Sequence, residues 1–351
     1  MRSRRSNGQL DAWEASAASA RHVDEAGAVL LVASAGWTVF AWQRVGGDPW
    51  APVGVVVGLA AAVGVGRALA RVFPWLPAAC VVAAGAGSVV VWGSQAWSPS
   101  SWDGPLGYAN ARAAFFVVVA LAALQLAGVL GRLWPLAVGF AGLAGILPIA
   151  VRSKGATVLL VVGALVVLLG VRPGRRRLAV TAAGAIAGAV LLVTVVAGAT
   201  HGPDAPAGDV LEEGLSTRRL TLWHESLQLI GEHPLTGVGP GRFRLASPTA
   251  RRDADAAWAH HGFLQQGVET GVPGMVLAVA LVVWGFVALG RAHGPLSPAA
   301  AAASMAVAAH ACVDYILHFP AVPIAAALLV GAGTAVARGE GLERRPQERS
   351  P

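Results

Sequence analysis

The chain is 351 residues long, 55% hydrophobic and only 13% charged, a balance that excludes a single soluble domain and fits a polytopic membrane protein. A net charge of +7 would suit nucleic acid, but the basic residues are distributed by membrane side, as set out below, and no nucleic-acid partner is expected. Cys80 and Cys312 both fall inside apolar runs, which argues against a disulfide framework or a thiolate metal site.

Met1 to Arg21 carries Arg2, Arg4 and Arg5 but lacks the short apolar core and small-residue cleavage site of a removable signal peptide. Residues 1–25 are therefore expected as a cytoplasmic tail. Apolar runs of roughly 20 residues, the length of one crossing, fall near 26–43, 51–70, 75–96, 109–130, 133–151, 154–171 and 178–199, and again near 268–289, 297–317 and 320–337. Backbone groups in lipid must be satisfied within their own segment, so the expected fold is an all-α bundle of about 10 transmembrane helices. Seven lie in 26–199 and three in 268–337, with one long loop at 200–267 and a cytoplasmic tail at 338–351.

Ten crossings put both termini on one side. That side would hold sixteen arginines, among them Arg2, Arg67, Arg132, Arg172, Arg175 to Arg177, Arg291 and Arg338. Outside the long loop the other side holds four basic residues, Arg44, Arg112, Arg152 and Lys154. The positive-inside bias makes the termini cytoplasmic and the 200–267 loop extracytoplasmic, in a cytoplasmic (inner) membrane. Trp42, Trp50, Trp75, Trp97, Trp102 and Trp134 fall near span ends, where amphipathic rings prefer the headgroup zone.

The long loop opens with a solvated linker at Gly202-Pro203-Asp204-Ala205-Pro206. Ser216 or Thr217 is positioned to cap a helix running to about Ile230, with Leu220, Trp223, Leu227 and Ile230 on one stripe that packs on the membrane surface or on the bundle. His233-Pro234 ends that helix, and Gly237-Val238-Gly239-Pro240-Gly241 is a tight turn without the lysine and following helix of a P-loop. The stretch from His201 to Gly274 contains five of the nine histidines and nine of the nineteen carboxylates, so chemistry is expected there.

Several isolated charges share the loop's depth. Arg112 follows Asn110 in the first turn of the fourth span, and Arg152 and Lys154 flank the junction of spans five and six. His310, Asp314 and His318 recur at i, i+4, i+8 in span nine, on one helix face. Ionisable residues at membrane depth are costly and face a cavity or one another, although each cation taken singly can snorkel to headgroups. Arginines there suit a diphosphate, and a histidine near neutral pKa suits proton abstraction from a hydroxyl. Asp253 and Asp255 near His260 read as a solvated acidic pair. No cofactor or metal site is indicated.

At these residues the sequence resembles the bacterial O-antigen ligase and polymerase superfamily of integral membrane glycan transferases. Gly107-Tyr108-Ala109-Asn110 is similar to its Gly-x-x-Asn element, and Ser153-Lys154-Gly155-Ala156 to its Ser-Arg-Gly-Ala element with Lys for Arg. Arg219-Leu220-Thr221-Leu222-Trp223 followed by His233-Pro234 through Gly241-Arg242-Phe243 resembles the loop signature. His260 then matches the family histidine, and Val313-Asp314-Tyr315 through Pro320 the closing Val-Asp-Phe helix. His261 stands where the family usually has Asn, Ser or Arg, and spacing favours His260 over it. The family commonly has about twelve spans, against ten expected here.

The resemblance implies transfer of a glycan from an undecaprenyl-diphosphate-linked donor to an acceptor hydroxyl outside the cytoplasmic membrane. The acceptor would be a glycan, a wall polymer or a glycoprotein. His260 would activate the acceptor, and Arg219 with Arg152 or Lys154 would hold the diphosphate. Arg112, Arg242, His261 and Asp314 complete the implied substrate-binding set. The competing reading is a transporter or flippase of lipid-linked glycans, which should show paired broken helices or internal pseudosymmetry.

Overall fold

The computed structural model describes residues 2–101, 104–200, 217–253, 256–292 and 294–335, with side chains from Arg21 onward. The expected linker at 202–206, the Ser216 cap, Trp102, Asp255 and the tail at 338–351 lie outside the described residues. All regular structure among the described residues is helical. In chain order the helices are α1 (Arg2–Val45), α2 (Trp50–Val72), α3 (Leu76–Trp92), α4 (Ala109–Ala127), α5 (Trp134–Ala150), α6 (Lys154–Gly170) and α7 (Arg176–Thr200). There follow α8 (Thr217–Glu232), two short helices α9 (Phe243–Ala246) and α10 (Pro248–Arg252), then α11 (Gly262–Arg291), α12 (Ser297–Ala311) and α13 (Ala321–Gly333). The segment expected as an N-terminal tail is continuous with α1 in one helix.

Among the described residues, seven segments are long and apolar enough to cross a bilayer: Arg21–Val45, α2, Leu76–Trp97, α4, Gly131–Ala150, Pro173–Thr200 and α11. α6 and α13 are apolar but shorter, at 17 and 13 residues. α12, with 15 residues, stops at Ala311 rather than continuing to 317. The cause is local. Asp314 accepts the backbone N–H of Tyr315 at 2.8 Å, and a short polar side chain that bonds its own backbone competes with the helical ladder. His310, Asp314 and His318 therefore do not form the expected single helical face. His310 ends a helix, Asp314 lies in a turn, and His318 closes a short 3-10 turn at Ile316–His318.

α4 and α12 form the centre. Nearly every side chain of both is buried. α12 is mostly alanine, and small residues let neighbouring backbones approach closely where no hydrophobic force drives helices together in lipid. It packs against α4, α6, α7, α11 and α13. α8 lies against α7 and α11, with Leu220, Trp223 and Ile230 buried, so its stripe covers the bundle rather than the membrane surface. Gly198 of α7 permits this approach, since a Cβ there would stand 2.8 Å from the Trp223 Cβ.

One span is broken. Gly271 in α11 has φ 74° and ψ 179°, with Pro273 two residues on. The break frees carbonyls that lipid cannot satisfy, and each finds a donor. Val238 N–H donates to Val268 O at 2.8 Å, Gly239 N–H to Glu269 O at 3.1 Å, and the Trp37 indole to Thr270 O at 2.8 Å. Gly241 N–H donates to the Glu269 carboxylate at 2.9 Å. The glycine turn thus spends its amides on the broken helix rather than on a phosphate.

Candidate active site

His260 is placed by the segment just ahead of α11. Its φ of 50° lies in the left-handed region, a conformation that costs an L-residue about 1–2 kcal/mol. Its carbonyl accepts the Trp223 indole N–H at 3.3 Å. Gln265 of α11 braces the same segment: its Oε1 accepts Ala259 N–H at 3.2 Å, and its amide donates to Glu269 at 3.0 Å and meets His318 Nε2 at 3.1 Å. Arg152, at φ 60°, is the other non-glycine residue with positive φ among the described residues. It caps the C-terminus of α5, a place where glycine is usual. Strain of this kind gathers at functional sites, and here it falls on two residues singled out from the sequence.

The His260 ring faces Asp314, with Nδ1 2.9 Å from Oδ1. Asp314 Oδ2 accepts Tyr108 Oη at 2.8 Å, Asn110 Nδ2 at 2.6 Å and Arg219 Nη2 at 3.4 Å. Burial alone would push the Asp314 carboxyl up. The His260 hydrogen bond and the charges of His260, Arg219 and His310 outweigh it and hold the pKa down to about 2. Burial and the neighbouring Asp314 push Tyr108 well above the ordinary phenol range, so its hydroxyl stays a donor. An ionised Asp314 can only accept, so Nδ1 of His260 is the donor to it, and Nε2 lies on the far side of the ring. His260 Nε2 makes no hydrogen bond among the described residues.

Exposure separates the roles. The Asp314 side chain is 1% exposed, His260 13% and Arg219 25%. Asp314 sits behind His260, its two oxygens engaged by His260, Tyr108, Asn110 and Arg219. Arg219 meets Asp314 through Nη2 and is partly exposed.

Three further candidates are engaged within the protein itself. Arg112 is fully buried and donates to four backbone carbonyls, those of Leu106, Gly107, Ser98 and Ser100, at 2.5–3.1 Å. It ties down the chain ahead of α4. Arg242 donates to Val45 O at 2.5 Å, fastening the glycine turn to the end of α1. His261 is fully buried as the N-cap of α11, its Nδ1 accepting Leu264 N–H at 3.2 Å and its Nε2 meeting Thr194 Oγ1 at 3.0 Å. Thr194 already donates to Val190 O at 2.9 Å, so Nε2 of His261 is the donor and the ring is neutral. Burial pushes its pKa down to about 3.

Arg152 and Lys154 are exposed at the α5–α6 turn. The Cβ position of Gly155 lies 3.9 Å from His310 Nε2, and His310 stands four residues ahead of Asp314 at the end of α12. The α6 N-terminus therefore stands at the same end of the bundle as the His260–Asp314 pair. Sequence reasoning had assigned no role to Tyr108, Asn110, Trp223 or Gln265 beyond a motif or a stripe. Among the described residues no group of three His, Cys, Asp or Glu side chains is arranged to hold a metal ion.

Among curated proteins none matches the chain. A match to a family does exist, and it spans α5 to the middle of α11, including Arg152, Lys154, Arg219, His260 and the broken turn at Gly271. Residues 139–279 match the family model described as O-antigen ligase, and this match supports a place for the chain in the O-antigen ligase and polymerase superfamily of membrane proteins.

Proposed function

We propose that this protein transfers a glycan from an undecaprenyl-diphosphate-linked donor to an acceptor hydroxyl on the outer side of the cytoplasmic membrane. The coarser role, glycan transfer of the O-antigen ligase or polymerase kind, is supported by the family match. The observation that carries the finer reading is His260, strained, partly exposed and oriented by a buried ionised Asp314. Nε2 takes the proton of the acceptor hydroxyl as its oxygen forms a bond to the anomeric carbon. The bond from that carbon to the diphosphate oxygen breaks, and the electron pair leaves with the lipid diphosphate. Arg219, with Arg152 and Lys154, stabilises the charge that develops there. No nucleotide enters the balance, because the donor already carries its leaving group.

The broken helix bears on the transporter alternative. Transporters use the ends of half-helices to coordinate substrate or ions. Here the freed carbonyls are taken by Val238, Gly239 and Trp37, which favours a fixed scaffold over a moving gate. Purified protein with lipid-linked donor and acceptor tests the proposal: the wild type should form product and release lipid diphosphate, while donor flipping without product in proteoliposomes would overturn it.

A further inference from the structure

Trp258 and Tyr315 belong to a group of aromatic rings at the site. Both are half-buried, and neither belongs to a hydrophobic cluster among the described residues. Their rings are nearly parallel, 21° apart with centroids separated by 5.9 Å. Tyr108 stacks on Tyr315 at 4.5 Å and 24°, and Phe319 on Tyr108 at 5.6 Å and 19°. His260 meets Tyr315 edge-on at 4.8 Å. A layer of aligned rings therefore passes directly beside the histidine.

Trp258 is held there rather than left to find its own depth in an interface. His318 lies 4.0 Å from it, ring to ring. Both nitrogens of His318 are engaged, Nδ1 with Tyr315 O at 3.2 Å and Nε2 with Gln265 at 3.1 Å, so His318 acts as a buttress. The indole N–H of Trp258 donates to no group among the described residues. An aromatic face with a donor on its rim matches a pyranose, whose C–H groups pack on a ring while its hydroxyls bond at the edge.

Resting on the proposed transfer reaction, we propose that Trp258 and Tyr315 form a saccharide subsite. It holds the pyranose that carries the attacking hydroxyl, so the acceptor is a glycan rather than a serine or threonine side chain of a protein. The subsite faces His260, as an acceptor must, and it needs no charge, unlike the diphosphate side. Tryptophan and tyrosine also gather at membrane interfaces without binding sugar. That role needs neither ring alignment nor a histidine alongside.

The test uses full-length protein in nanodiscs. The probe is the oligosaccharide released by mild acid from the surface polysaccharide of the cells that make the protein, with binding read by saturation-transfer NMR. Wild type and His260→Gln should bind it equally. Trp258→Ala and Tyr315→Ala should bind roughly tenfold more weakly, the scale of losing one stacking partner, and Trp258→Phe should fall between. Wild-type binding by Trp258→Ala, a change in that variant confined to thermal stability, or transfer to a threonine peptide without saccharide binding would overturn the subsite. If Trp258→Ala fails to fold, Trp258→Phe and Trp258→Leu supply the comparison, with phenylalanine expected to bind more tightly than leucine and equal binding counting against the subsite. Normal transfer by His260→Gln would instead overturn the proposed base and leave saccharide binding intact.

Discussion

His260 and His261 are neighbours in sequence with opposite fates in space: one directs Nδ1 to Asp314 at 2.9 Å and reaches the surface, the other is sealed between Leu264 and Thr194. The left-handed turn at His260 separates them. His260→Gln should fold, bind lipid-linked donor and lose turnover by on the order of 100- to 10,000-fold, the usual worth of a general base. His261→Gln should keep turnover in the molecules that fold and lose stability by about 1–3 kcal/mol through its broken cap and Thr194 contact. Single-turnover rates beside thermal unfolding check the pair, and collapse of turnover only in His261→Gln would reverse the assignment.

Arg219 is expected to act through the geometry of its fork. One nitrogen is committed to Asp314, and the others suit two oxygens of a diphosphate. Arg219→Lys should lose nearly as much activity as Arg219→Ala, because an ammonium cannot bond Asp314 and a diphosphate in the same plane. Full activity in the lysine variant would reduce Arg219 to a surface charge.

The buried His261 also gives stability a pH dependence. Its pKa falls from 6.5 to about 3 on folding, so between those values the unfolded chain binds a proton that the folded chain refuses. Stability is therefore full above pH 6.5 and declines as pH falls toward 3. His261→Asn should flatten part of that decline between pH 6.5 and 4, above the range where Asp314 titrates. Thermal unfolding across that interval measures it, and an unchanged slope would argue against a neutral buried ring.

The arginines and lysine divide into two groups. Arg112→Met should fail as a fold, losing roughly 2–4 kcal/mol as four carbonyls go unpaired, with low yield and an early unfolding transition. Arg152→Gln and Lys154→Gln should fold normally and weaken donor binding. Wild-type stability in Arg112→Met, or unchanged donor affinity in the double Gln variant, would contradict this division.

The apolar runs announced an all-α membrane protein, because backbone groups in lipid must be satisfied within their own segment, and the loop drew attention to the paired histidines. The partners of those residues were harder to see. A regular i, i+4, i+8 pattern suggested one face for His310, Asp314 and His318, yet Asp314 bonds its own backbone and the helix ends first. Arg112 shares the depth of the other cations, but depth does not tell whether a guanidinium turns outward or toward carbonyls behind it. Tyr108 and Asn110 stood in a quoted motif, and their common partner lies 206 and 204 residues away.

Sidedness has a direct check. Leu235 is exposed beside the loop turn, and the basic-residue bias predicts that it lies outside. In a background with Cys80 replaced by alanine, Leu235→Cys should react with an impermeant thiol reagent in intact cells. Reaction only after permeabilisation would invert the arrangement and remove the site from the outer face.

The break in α11 sets what can be exchanged between relatives. The 233–241 turn, the Val268–Pro273 stretch and Trp37 of α1 complete one another's hydrogen bonds, although they are far apart in the chain. A graft of the long loop alone into a host with an unbroken helix would carry donors that find no free carbonyls, and removal of this loop would leave the Val268 and Glu269 carbonyls without theirs. The smallest unit that keeps this break satisfied therefore comprises three separate pieces of sequence, one of them in the first membrane helix.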